Sequence, residues 1–230
     1  MTTGRGRPHV LLSVAVSIDG YIDDAGPDRL LLSNAADFDR VDALRAASDA
    51  ILIGAQTLRS DNPRLLVNDP DRRLQRLAAG QPEYPLRVIV TAAGDLDPAL
   101  RFWHHGGDRV VYTTDSGAAR IGDRLDGLAE VVSLGAAVDF AALLDDLGTR
   151  DIARLMVEGG GAIHTAFLAA GLVDEIRMAI APLVIGDPAA PRFLGTIVDS
   201  SQHRMRLAEV GRIGDIALLR YLPKEDSSAG

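Results

Sequence analysis

The stretch Leu155-Met156-Val157-Glu158-Gly159-Gly160-Gly161 carries an apolar strand straight into three glycines. Ala162 to Ala170 then reads as a helix, stopped by Gly171. Without Cβ atoms, glycines let the backbone approach a ligand closely, and the N–H groups at a helix start favour an anion. The spacing is not that of the G-x-G-x-x-G turn. It is not a P-loop either, because no Lys-Ser or Lys-Thr follows Gly161. A tight strand-to-helix turn with no ligand is the competing reading.

The same grammar recurs at Ile51-Leu52-Ile53-Gly54-Ala55-Gln56-Thr57, where a buried strand meets a glycine and then a helix start. Thr57 adds a hydroxyl where an anion can sit. Two such junctions in one sheet suit a dinucleotide, whose phosphates need separate donors, although βα turns often carry Gly for local reasons alone. The helix from Ala55 or Gln56 is short, because Asn62-Pro63 blocks it. In Arg59-Ser60-Asp61-Asn62-Pro63-Arg64, Pro63 is expected to hold Asn62 extended and to present Asp61 and Arg64 on a loop. A carboxylate and a guanidinium so close can hold a polar substrate; a solvated turn explains the pair equally well.

Outward from these junctions, Val10 to Ile18 reads as a strand broken at Asp19-Gly20. Ser33-Asn34 caps a helix over Ala35 to Ala47, with Phe38, Val41, Leu44 and Arg45 at helical spacing. Pro70 to Pro85 is a polar excursion or a short exposed helix. Leu86 to Val90 and Val110 to Thr113 are strands, and Asp139 to Leu147 is a helix. Glu175 to Ile185 is strand-like. Arg204 to Gly211 and Ile216 to Leu222 flank Gly214-Asp215 as a hairpin. This order predicts an α/β fold with a central mixed, mostly parallel sheet flanked by helices, closed by a C-terminal antiparallel hairpin. One domain is expected over residues 9–223, with flexible ends at 1–8 and 224–230.

Composition narrows the function. The 230 residues carry a formal charge of −8, which disfavours a non-specific nucleic-acid binder. There is no cysteine, so disulfides and thiolate metal sites are excluded. No apolar run approaches the roughly 20 residues needed to span a bilayer, and the N-terminal segment is unlike a signal peptide; a cytoplasmic protein is expected. His104-His105, beside Trp103, has no carboxylate partner at metal-ligand spacing, and His9, His164 and His203 are scattered, so no metal is expected. The elbow of a serine hydrolase is missing.

Several short motifs then fall in order: Ser17-Ile18-Asp19-Gly20; Leu44-Arg45-Ala46 with Asp49-Ala50-Ile51; Gly54 and Thr57; Asp61-Asn62-Pro63 and Leu65; Arg87-Val88-Ile89-Val90; Glu158-Gly159-Gly160-Gly161; Gly171-Leu172-Val173-Asp174-Glu175; Ala181-Pro182. In this arrangement the chain, from about Val10 to Leu222, resembles the reductase domain of riboflavin biosynthesis (RibD C-terminal-like). The resemblance implies a dihydrofolate-reductase-like fold, a homodimer and the cofactor NADPH. It also implies reduction of the ribosyl group of a ribosylamino-pyrimidine 5′-phosphate to ribityl. It places the cofactor's phosphates and nicotinamide end on Gly54, Ala55, Gln56 and Thr57 and on Gly159, Gly160 and Gly161. Thr91 and Ala92 fall near the adenosine 2′-phosphate, and Ser33, Arg45, Asp61, Arg64 and Asn68 on the substrate side. Asp61 is the candidate to orient substrate or assist proton movement. Glu158 is the candidate to fix the glycine loop or hold a water.

The sequence departs from the family pattern where the usual Leu-Thr-Val-Arg run appears as Leu65-Leu66-Val67-Asn68, and at Leu31 and Asn62. Asn68 stands where an Arg often grips the substrate phosphate, and the lost charge is expected to weaken phosphate binding unless Arg64 or an Arg of the Arg72 to Arg76 segment substitutes. Leu31 sits where some members carry an aromatic residue against the pyrimidine, and Asn62 replaces an Asp. These differences keep two alternatives open: a reductase of another pterin-like or unphosphorylated heterocycle such as dihydrofolate, and a nucleotide-binding protein without turnover.

Overall fold

The computed structural model describes residues 6–26, 30–197 and 204–224. In chain order its elements are β1 (His9–Val16), α1 (Ala35–Ala46), β2 (Ala50–Gly54), α2 (Ala55–Asp61), α3 (Pro70–Ala78), β3 (Leu86–Thr91), a 3-10 turn (Arg101–His104), β4 (Arg109–Thr113), α4 (Asp115–Ile121), β5 (Glu130–Ser133), α5 (Phe140–Thr149), β6 (Arg154–Gly159), α6 (Gly161–Ala169), β7 (Glu175–Ile180), β8 (Met205–Ile213) and β9 (Ile216–Pro223). They form two compact units, Met1–His9 with Asp39–Gly160, and Val10–Phe38 with Gly161–Gly230. Of the ends expected to be flexible, residues 1–5 and 225–230 lie outside the described residues. Arg7 is paired with Asp145 at 2.5 Å and Pro8 is buried.

In the first unit the strands run β5-β4-β3-β2-β6, every neighbouring pair parallel. Every residue of β2 is buried. A parallel strand covered on both faces has no polar side to show, which is why it reads as a continuous apolar run rather than an alternation. Ile51, Ile53, Leu58, Leu65, Ile89, Phe102, Trp103 and Val111 share one core. The Trp103 and Phe102 rings meet edge to face at 4.8 Å, and Trp103 Nε1 donates to the Asp97 carbonyl at 2.7 Å, so the buried indole keeps its hydrogen bond.

In the second unit the order is β1-β7-β9-β8. β1 and β7 are parallel; β7 with β9 and β9 with β8 are antiparallel. The hairpin closes at Ile213 opposite Ile216 around Gly214-Asp215. Gly214 has φ +60 and Asp215 is not among the positive-φ residues, the pattern of a type II′ turn. The fold class read from sequence is therefore the one found. Among the described residues no helix is long and apolar enough to cross a membrane.

Three local expectations are corrected. Asn62 is not extended: it takes φ 40, ψ 52 and its N–H closes α2 onto the Leu58 carbonyl. Pro63 forbids it only the right-handed helical region, and Asn tolerates the left-handed one that a helix C-cap uses. The face of α1 was misassigned. Phe38 is exposed, while Asp37 and Asp42 are buried, and Asn68, Asp69 and Arg72 bring donors to the Asp42 carboxylate. β7 stops at Ile180 rather than Ile185, since Pro182 cannot donate to a ladder.

Candidate active site

Registers in the first unit line up the carboxyl ends of its parallel strands. Gly54 sits opposite Val90, Thr91 opposite Thr113, and Ile53 opposite Gly159. Open α/β sheets bind ligands beyond this edge. Gly54 caps α2 in an extended conformation and brings no side chain to the first N–H groups of α2. A Cβ on Gly159 or on Gly160 would come within 3.2 Å of Thr57 Oγ1, and Gly160 has φ +83. The two glycine junctions thus meet at one hydroxyl. Gln56 is exposed beside them and accepts from Arg59 Nη2 at 3.0 Å, and Ala55 is buried under them. Gly161 begins α6 in the second unit, where a Cβ would lie 2.3 Å from the Arg192 carbonyl.

Further along the same edge, Thr91 Oγ1 accepts from the Gly94 N–H at 3.1 Å. Thr114 Oγ1 donates to the Ala92 carbonyl at 2.8 Å and caps α4 through the Gly117 N–H. A Cβ on Gly94 would sit 2.2 Å from the Gly117 carbonyl, so the Thr91–Gly94 turn is pressed onto the start of α4. Sequence reasoning missed α4 and Thr114. Thr114-Asp115-Ser116 ahead of Gly117-Ala118-Ala119 is an N-cap signal that was there to be read.

Glu158 sits at a break in register. Leu52 pairs with Val157 and Ile53 with Gly159, so Glu158 is the extra residue of a β-bulge. Bulges re-aim side chains, and this one delivers the carboxylate to Arg45 of α1. The pair is bidentate, Nε to Oε1 and Nη2 to Oε2 at 2.6 Å each, with side chains 18% and 13% exposed. Burial alone would lower the Arg45 pKa; the Glu158 charge and hydrogen bonds outweigh it and hold the guanidinium above its ordinary value. Arg45 Nη1 also donates to the Leu66 carbonyl at 3.0 Å. Two residues read separately from the sequence, one as catalytic and one as substrate-binding, are one neutral unit.

Asp61 closes α2 and accepts from Ser60 Oγ at 3.0 Å. Beyond it the segment 62–69 is held by guanidinium groups from four places. Arg101 Nε donates to the Asn62 carbonyl, Arg87 to that of Arg64 at 3.1 Å, Arg45 to that of Leu66, and Arg73 to that of Asn68 at 2.7 Å. Leu65 has φ 54. Left-handed conformations at non-glycine residues persist only where the surroundings over-determine them, and here they do. Arg87 is itself fully buried, with donors also on the Phe102 and Gly107 carbonyls and its charge over the Phe102 ring. Burial, and then the charge of Arg109, lower its pKa. In the second unit, Ser33 is half-buried ahead of Asn34, whose side chain caps α1.

Over residues 8–219 the sequence matches the RibD C-terminal domain family. The chain belongs to that family. The 2,5-diamino-6-ribosylamino-4(3H)-pyrimidinone 5′-phosphate reductase of Archaeoglobus fulgidus is 34% identical over 212 residues, covering 91% of this chain and 95% of that protein. The enzyme of the same name from Methanothermobacter thermautotrophicus is 33% identical, covering 95% and 99%. Among solved structures, a pyrimidine reductase-like protein from Corynebacterium diphtheriae superposes with a TM-score of 0.78 at 23% identity, covering 95% of this chain and 93% of that one. RibD of Acinetobacter baumannii gives 0.76 at 24% identity, over 98% and 60%.

In this RibD C-terminal domain, the question raised by Asn68 is which arginine remains for an anion. Arg72 is held by Asp39 at 2.8 Å and Asp42 at 3.0 Å. Arg73 is engaged by Glu83 and two carbonyls, and Arg76 is buried on the carbonyls of Ala46, Ser48 and Pro82. Arg64 is exposed, and its guanidinium reaches Asn68 Oδ1 at 3.5 Å, the long end of hydrogen bonding. Of the candidates named from the sequence, Arg64 keeps its charge available.

Proposed function

We propose that this chain is an NADPH-dependent reductase that converts the ribosyl group of 2,5-diamino-6-ribosylamino-4(3H)-pyrimidinone 5′-phosphate to ribityl. The observation that carries the reading is on α2. Thr57, against Gly159 and Gly160, and Asp61 are four residues apart, so they share one helix face roughly 6 Å apart along the axis. A glycine cradle for a nicotinamide dinucleotide and a carboxylate thus stand one helical turn from each other. The two glycines lie against the Thr57 hydroxyl at the carboxyl edge of the parallel strands, the edge at which open α/β sheets take a nucleotide, and the cofactor is assigned there. When bound, the cofactor supplies hydride to the sugar C1′ in its open-chain imine form, and a proton completes the amine. The Thr91–Ala92 turn, held against the start of α4 at the carboxyl edge of the sheet, is assigned to the 2′-phosphate that would make NADPH preferred over NADH.

The protein's part is to bind and orient. Asp61 is assigned to a sugar hydroxyl or the transferred proton, and the Arg45–Glu158 pair to a fixed polar wall. Arg64 is assigned to the phosphate, because Glu158 neutralises Arg45. That Arg72, Arg73 and Arg76 are engaged, leaving Arg64 alone of those candidates for the anion, also favours a second reading, an unphosphorylated heterocycle such as dihydrofolate. We read the protein as a cytoplasmic homodimer; a clean monomer mass in light scattering would remove the dimer.

The test follows NADPH oxidation with the phosphorylated substrate, its unphosphorylated riboside and dihydrofolate. Turnover is expected with the phosphate ester. Arg64→Ala should raise its KM about ten-fold or more by loss of a charge-assisted contact. Asp61→Asn should lower kcat and leave NADPH affinity near wild type. Turnover of dihydrofolate alone overturns the assignment.

A further inference from the structure

Asp42 of α1 is a buried carboxylate that four donors surround. Its Oδ1 accepts from the Asn68 N–H at 2.5 Å and from Asn68 Nδ2 at 3.2 Å, and its Oδ2 accepts from the Asp69 N–H at 3.2 Å and Arg72 Nη1 at 3.0 Å. With its amide nitrogen committed to Asp42, Asn68 turns its oxygen toward Arg64 Nη2. The order Asp42, Asn68, Arg64 is a relay in which a fixed negative charge orients a neutral amide and the amide orients a cation. Arg72 adds no positive charge to this corner, because Asp39 and Asp42 both hold it and Asp69 lies at 3.9 Å.

We propose that Asp42 is a positioning and specificity-determining residue, which makes position 68 an orienting amide and assigns the substrate's anionic group to Arg64. The proposal rests on the reading of Arg64 given above. Its physical content is a competition for position 68. A cation placed there would meet the buried Asp42 carboxylate before any substrate, and an ion pair made inside the protein is closed to a ligand. An orienting amide has no such conflict, since it satisfies the carboxylate with one end and Arg64 with the other. Burial raises the Asp42 pKa, but the Asn68 N–H, Arg72 and the Asp69 N–H outweigh it and keep the carboxyl below its ordinary value, consistent with a charge present in the working enzyme.

The experiment compares kcat and KM for the phosphorylated pyrimidine and for its unphosphorylated riboside across a small set of variants. Asn68→Arg alone is expected to bring no fall in KM for the phosphate ester. Asp42→Asn combined with Asn68→Arg is expected to lower it about ten-fold, the effect of one added charge-assisted contact. Asn68→Ala is expected to raise that KM several-fold, with kcat affected less and the riboside KM unmoved, a split that loss of folding would not produce. If Asp42→Asn does not fold, the two single variants at position 68 still decide. A fall in KM from Asn68→Arg alone, or no change from Asn68→Ala, overturns the relay. Failure of the underlying reading looks different: Arg64→Ala then leaves KM for the phosphate ester at its wild-type value.

Discussion

At Gly160 the requirement for glycine is both conformational and spatial. Its φ of +83 lies where side chains rarely go, and a Cβ would stand 3.2 Å from Thr57 Oγ1. Gly160→Val is therefore expected to abolish NADPH binding, with a smaller effect on folding because the site is at a strand end rather than in the core. Titration followed by NADPH fluorescence checks the first part and a melting curve the second; binding at wild-type affinity would remove the cradle from the site. The glycine run was legible in the sequence because a missing Cβ is a property of the residue itself. The partner of Glu158 was not. Arg45 lies 113 residues away, and only the bulge in β6 turns the carboxylate toward it.

Local chemistry also dictates an element that the sequence reading leaves open between an excursion and a short helix. Asp69 decides it: its side chain accepts from the Asp71 and Arg72 N–H groups at 2.8 and 3.1 Å, and Pro70 opens α3. Asp69→Ala should cost about 1 kcal/mol. Urea unfolding would show this as a lower midpoint at unchanged slope, and an unchanged midpoint would mean that packing alone holds α3. β5 escaped notice because it is short and none of its residues is fully buried, so no apolar run marks it. The α1 face escaped for the opposite reason. An acidic residue on a helix reads as solvated, and Asp42 is buried only because Asn68, Asp69 and Arg72 are brought to it.

Over the whole molecule, pH dependence follows from charges that folding encloses. Glu175 is almost fully buried between Arg177 Nε at 2.6 Å and Arg220 Nε at 2.8 Å. Burial raises its pKa, but Arg220 and Arg177 outweigh that and lower it to about 2 from an ordinary 4.5. A carboxyl with a depressed folded pKa contributes stability above its unfolded pKa and loses it as pH falls through the folded one. Stability should therefore decline between about pH 5 and pH 2. Glu175→Gln should flatten that part of the profile while lowering stability at neutral pH, where two arginines lose their partner. Melting temperatures across this range decide; parallel profiles for the two proteins would exclude Glu175 as the titrating group.

By itself the sequence determined the class of fold, the two strand–glycine–helix junctions and the closing hairpin. Each is written in neighbouring residues, through side-chain volume, Cβ absence and capping chemistry that act within a few positions. The division into two units was beyond its reach, since each unit is assembled from separated segments and no linker marks a boundary. Only the tertiary structure decided which charges are available. Arg45, Arg72, Arg73, Arg76 and Arg87 are engaged inside the protein, and Arg64 is left facing outward. The physical reason is that a guanidinium's availability depends on which carbonyls and carboxylates surround it in space. Those partners come from strands, helices and loops that sequence separation does not order by distance.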